Sequence, residues 1–158
     1  MRWIWIDRFV EFHPGAKAVA IKNVSLAEEH LHDHWEPFPI MPVSLMIEGM
    51  AQTAGILVGQ ARDFKEKVIL AKIAKAEIND IVTPGDQLTY QAEIVTIAPE
   101  AAVTHGTVLK NGTCIGVIDL MFSHIDQNLA GAKFPQENFV FTGQFTRLIA
   151  PFLEGGDG

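Results

Sequence analysis

Two rhythms of apolar residues alternate along the chain. Residues 3–12 alternate loosely and are rich in Trp, Ile, Phe and Val, which predicts a strand. His13-Pro14-Gly15 reads as a turn, and residues 18–24 return as a second strand. Ser25-Leu-Ala-Glu28 has capping-box spacing and starts a short helical turn. Pro37 and Pro39 then make residues 34–41 a shaped loop, because proline cannot continue a regular ladder. Pro42 fits the first helical position, where its missing N–H costs nothing. From Val43 to Arg62 there is no proline and the apolar residues fall on nearly every side, so the pattern predicts a buried helix. Ala51, Gly55 and Gly59 recur every four residues, a flat stripe suited to close approach of another backbone.

After a charged connection at 62–67, the two-residue period returns. It predicts strands at 68–74, 88–97, 101–110 and 113–123, with a turn at Thr83-Pro-Gly-Asp86 and a tight hairpin at Asn111-Gly112. A strand pair, one long apolar helix and an antiparallel run make an α+β domain in which a sheet wraps the helix. We place that domain at residues 1–125 and a C-terminal extension at 126–158. The extension carries Phe134, Phe139, Phe141, Phe145 and Phe152, so it should pack on the body, with a helix near 142–153 and disorder in the last four residues.

Composition narrows the function classes. A chain of 158 residues, 48% hydrophobic, can build one domain with a sizeable core. Its net charge of −7 argues against nucleic acid as a partner. Cys114 is the single cysteine, which excludes an internal disulfide and a cysteine-based zinc site. Its strand-like context suggests a buried, inert thiol, and a reducing cytoplasm is compatible. Arg2, Asp7 and Arg8 around the first apolar stretch do not read as a signal peptide. The apolar run at 40–61 is long enough to raise a membrane span, but Glu48, Gln52 and three glycines favour a buried helix of a soluble protein.

Glu48 is the candidate for chemistry. A carboxylate in an apolar helix is costly, and its pKa should rise unless something pairs with it. The helix N-terminus is one source of compensation. His34, fourteen residues earlier, is another. A Glu beside an imidazole is either an acid/base pair or a structural hydrogen bond, and spacing alone leaves both open. His30, His32 and His34 lie close together, but no cysteine or HExxH pattern supports a metal site.

These residues carry a resemblance. His34, Pro39-Ile-Met-Pro42 and Glu48-Gly-Met-Ala-Gln52 resemble the signature of the FabA/FabZ-type 3-hydroxyacyl-(acyl-carrier-protein) dehydratases. Asp7-Arg8-Phe-Val-Glu-Phe-His-Pro-Gly15, Ala20-Ile-Lys-Asn-Val24 and Thr83-Pro-Gly-Asp-Gln-Leu88 match the same family in order, so the likeness spans residues 5–124. Trp35-Glu36 stands where the family has Phe-Pro, and Val43 where it has glycine.

The resemblance implies a hotdog fold and removal of water from (3R)-3-hydroxyacyl thioesters, with no metal or other cofactor. It implies His34 as the base and Glu48 as the group handling the leaving hydroxyl. Val43 and Ser44 would supply oxyanion N–H groups, and Gln52 would touch substrate. The implied partners are acyl-carrier protein and a second copy of the chain, in a homodimer or a trimer of dimers, in the cytoplasm. The densest positive stretch, with Arg62, Lys65 and Lys67, is the candidate carrier-docking patch. Two other hotdog roles stay open: an acyl-thioester hydrolase using Glu48 with Gln52, and a non-catalytic acyl- or carrier-binding protein.

Overall fold

The computed structural model describes residues 3–33, 37–128, 131 and 143–153. Strands β1 (Arg8–His13) and β2 (Lys17–Asn23) precede a short helix α1 (Glu29–Asp33) and the long helix α2 (Val43–Gln60). Strands β3 (Val68–Ile78), β4 (Gln87–Ile97), β5 (Ala101–Lys110) and β6 (Thr113–His124) follow, then helices α3 (Ile125–Asn128) and α4 (Gly143–Leu153). The strands form one antiparallel sheet in the order β1-β2-β4-β5-β6-β3. It wraps α2 in the hotdog arrangement.

Turn chemistry sets the register. Asn111 and Gly112 both take positive φ, 50° and 86°, which matches the twist of the β5–β6 hairpin. Gly85 at φ 97° completes the turn before β4, and the Asp86 carboxylate accepts bonds from the Thr83 N–H (2.9 Å) and Asn111 Nδ2 (2.7 Å). Burial does not favour the charged form there, yet the Thr83 N–H bond holds the Asp86 carboxyl below its ordinary range. Register shifts between Leu70 and Lys72, and between Ile73 and Lys75, mark irregularities of the kind that bend and twist a strand.

β3 runs four residues beyond its predicted end, because pairing with β6 continues from Val68↔His124 to Ile78↔Gly116. β1 is shorter than its pattern: residues 3–6 carry the alternation but no ladder, and pairing begins at Arg8.

The core lies between the sheet and α2. Met46, Met50, Leu57 and Val58 are buried against it. Gly49 lets the Tyr90 ring lie against the helix, since a Cβ there would sit 2.6 Å from Tyr90 Cζ. The small-residue stripe behaves otherwise than expected. A Cβ on Gly55 would meet the Phe122 side chain at an ordinary 3.5 Å, and Ala51 and Gly55 floor an open groove instead of seating a backbone.

α4 is held by Ile149, which is fully buried, and by Phe152, whose ring centroid lies 6.4 Å from that of Phe12 in β1. Burying Ile149 stabilises this attachment by about 2 kcal/mol.

Candidate active site

Glu48 sits in the second turn of α2, half-buried, on the face that also carries Ser44 and Gln52. Steps of four residues keep these three side chains on one side of the helix. Among the described residues, two donors that the sequence did not suggest compensate the carboxylate. Trp3 Nε1 donates to Glu48 Oε1 at 2.9 Å, and Gln52 Nε2 donates to the same oxygen at 3.0 Å. Neither bond falls on Oε2.

The supports of these donors are themselves fixed. Gln52 Nε2 also reaches Trp3 C=O (3.1 Å), and Gln52 Oε1 accepts from the Trp5 N–H (2.8 Å). Trp5 is buried and meets Trp3 edge to face, with centroids 5.4 Å apart. Trp3 itself remains 58% exposed and stands at the rim.

Below Glu48 opens a groove of about 330 Å³. Its described lining includes Ala51 and Gly55 on α2, Leu70 on β3, Phe122 on β6 and Phe145 on α4. The groove presents Glu48 and Gln52 at one end of a mostly apolar wall, the usual build of a site that orients a small ligand by a few polar groups.

The start of α2 is open. Pro42 is the residue before the helix, in an extended conformation, rather than the first helical one, and no side chain caps this end. Its carbonyl takes the N–H groups of Leu45 and Met46, so among the described residues Val43 and Ser44 head the helix without a side-chain cap. Such an end favours negative charge. Val43 is 45% exposed and lies about 140° around the helix from Glu48, at 100° per residue, whereas Ser44 shares the Glu48 face. The preceding Met41 is buried and pins the loop through its N–H to Val82 C=O at 2.8 Å.

His34 lies outside the described residues, as do Trp35, Glu36, Phe134, Phe139 and Phe141. His30 packs edge to face on Trp5 at 5.1 Å, and burial lowers its imidazole pKa against the pull of Glu28. Of the docking candidates, Lys65 is exposed and Arg62 half-buried. Lys67 does not belong with them: it is only 8% exposed and its Nζ lies 3.2 Å from Asp126 Oδ1, an ion pair that ties the residue before β3 to α3. Cys114 is a second correction. It is exposed, because it follows the hairpin turn at the very start of β6.

Sequence reasoning missed Trp3 as a partner of Glu48 and Phe145 as part of the groove. The alternation over residues 3–12 marks Trp3 only as part of a strand, and nothing local points to a carboxylate 45 residues away. It also missed a second carboxylate–imidazole pair, Glu66 Oε2 with His124 Nδ1 at 2.6 Å, fully buried on the histidine side.

The model of the FabA-like domain matches residues 3–118. The chain belongs to the FabA-like family. Its relatives include the 3-hydroxyacyl-[acyl-carrier-protein] dehydratase FabZ of Ruminiclostridium cellulolyticum, 39% identical over 117 residues that cover 70% of this chain and 82% of that one. The enzyme of the same name from Caldanaerobacter subterraneus is 35% identical, covering 76% and 86%. Among solved structures, the dehydratase heterocomplex ApeI:P from Xenorhabdus doucetiae superposes with a TM-score of 0.66 over 81% of this chain and 90% of that chain, at 15% identity, a likeness of fold. The FabA-like match takes in α2 and the whole of the Glu48 network and ends before α4.

Proposed function

We propose that the protein removes water from (3R)-3-hydroxyacyl thioesters borne by acyl-carrier protein, giving trans-2-enoyl thioesters in fatty acid biosynthesis. One observation carries the reading. A half-buried carboxylate is held by two donors on a single oxygen, at the head of an apolar groove, on the helix whose sequence matches the dehydratases.

In the proposed step, the His34 imidazole takes the C2 proton. The electrons of that C–H bond form the C2=C3 double bond. The C3 hydroxyl leaves as water with a proton delivered through Glu48, and proton return from His34 resets the pair. Helix N–H groups at Val43 and Ser44 would stabilise the developing thioester oxyanion.

The second copy of the chain enters through β3. Leu70 and Ile73 pair with Phe122 and Leu120, so they share the helix-facing side of the sheet, yet both remain exposed. β3 is also an edge, an eleven-residue strand with β6 as its neighbour in the described sheet. An open, apolar edge of this length favours a homodimer, and from the family resemblance we assign His34 and Glu48 of one site to different subunits. Among the described residues no helix is long and apolar enough to cross a membrane, and we place the enzyme in the cytoplasm.

Mixing inactive His34→Ala with inactive Glu48→Gln tests the reading. Subunit exchange should restore part of the turnover on a 3-hydroxybutyryl thioester, and verified mixed dimers without activity would refute the shared site. The bonded Glu48–Gln52 pair also suits a thioester hydrolase. Free thiol released from acyl thioesters, with no enoyl product, would select that alternative. For the carrier, Lys65→Glu should raise KM for carrier-bound substrate and spare short thioester analogues.

A further inference from the structure

The FabA-like match stops at residue 118, and α4 begins at Gly143. Yet this helix supplies a wall of the groove. Phe145, Leu148, Ile149 and Phe152 fall at helical spacing on one face, and all four pack against the core. Their roles along that face differ. Ile149 is fully buried and anchors the helix, and Phe152 meets Phe12. Phe145, one turn before the anchor, is only half-buried and lines the same groove as Glu48, Leu70 and Phe122. Its ring is a groove wall on a helix whose fully buried anchor is Ile149.

We infer that Phe145 is a specificity-determining residue, which limits the length of acyl chain admitted to the groove beside Glu48 and favours short chains over long ones. The inference rests on the acyl-thioester reading above. The groove, at about 330 Å³, is near the lower end of the range of small-molecule sites, roughly 300–1,000 Å³. One aromatic ring in the wall of so small a space therefore decides how many methylenes fit. Each methylene that is admitted or refused changes affinity about fourfold.

Two variants with opposite signs test this. Phe145→Ala should open the wall and Phe145→Trp should close it further. Binding is read by titration with butyl, octyl and dodecyl thioethers of pantetheine, and turnover is read as kcat/KM on 3-hydroxyacyl thioesters of matching length. In Phe145→Ala the octyl-over-butyl preference should rise by at least about fourfold, the value of one admitted methylene. In Phe145→Trp it should fall. Variants that keep native circular dichroism and shift all lengths equally, or none, overturn the inference. The thioethers bind without reacting, so the two readings fail separately. Length discrimination in a protein that dehydrates nothing would sink the proposed reaction alone. Dehydration with an unmoved length profile would sink the role of Phe145 alone.

Discussion

Glu48 and Glu66 make a natural comparison. Both are partly shielded carboxylates, and each has a side-chain nitrogen within hydrogen-bond distance. Glu66 meets His124 at 2.6 Å, and the imidazole is wholly enclosed at the end of β6. Glu48 takes its bonds from Trp3 and Gln52 on one oxygen and faces a groove. The difference lies in access. A pair whose imidazole is wholly enclosed can hold elements together, here the connection after α2 and the last strand. A carboxylate anchored through one oxygen, with space beside it, can meet a substrate. Proximity of Glu and His is therefore a poor guide to catalysis unless the second face of the carboxylate is known.

The contrast can be broken most sharply at Glu48. Glu48→Gln should lower dehydration by about 10²- to 10⁴-fold, the usual contribution of a general acid or base, and leave thermal unfolding nearly unchanged. Appearance of the enoyl thioester is the assay, and a near-normal rate would remove Glu48 from the mechanism. His124→Ala should do the reverse. Removing one partner of the enclosed pair should cost about 3 kcal/mol in urea unfolding, while the folded protein keeps its turnover. If His124→Ala instead stays stable and loses activity, the two carboxylates have been assigned the wrong way round.

A smaller effect sharpens the picture of how Glu48 is held. Trp3→Phe keeps an aromatic ring at the rim and deletes the N–H donor. One hydrogen bond to a charged group is worth about 1.5 kcal/mol, so kcat should fall roughly tenfold with KM little changed. A rise in KM alone would make Trp3 a substrate contact rather than a support.

The smallest effect concerns acid. The Lys67 N–H bond, with the Lys67 ammonium, holds the Asp126 carboxyl below its ordinary value of 3.8. A depressed folded pKa adds stability that is complete above the unfolded value and disappears as pH falls through the folded one. Asp126→Asn should therefore flatten the stability profile below about pH 4. Melting temperatures over an acid series measure it, and an unchanged acid slope would show that Asp126 contributes nothing there.

Much of this molecule was legible in its sequence. Proline punctuation and the change from one apolar period to the other located α2 and the strands, and Asn111-Gly112 announced its hairpin. Glu48 stood out as a charge in an apolar helix. Features set by distant contacts were not legible. Trp3 and Glu48 meet across 45 residues. The Lys67 ammonium looked free among its charged neighbours until α3 brought Asp126 to it. Cys114 has the neighbours of a buried strand residue, but its place beside the turn exposes it. The length of β3 is written in β6, because a strand continues as far as its partner allows.

That last dependence has a bearing on biosynthesis. β3 leaves the ribosome well before the segment it pairs with. Val68 waits for His124, 56 positions later, and Ile78 for Gly116. At roughly 5–20 residues per second, Val68 waits about 3 to 11 s. During that interval the nascent chain carries Ile69, Leu70 and Ile73 on an unpaired ladder, while β1, β2, β4 and β5, contiguous in the sheet, are all made before β6. Closure of the sheet at β3 is thus held back until the last strand emerges. Crowded polysomes, where neighbouring chains expose the same strand together, are the place where its assembly is most exposed to error.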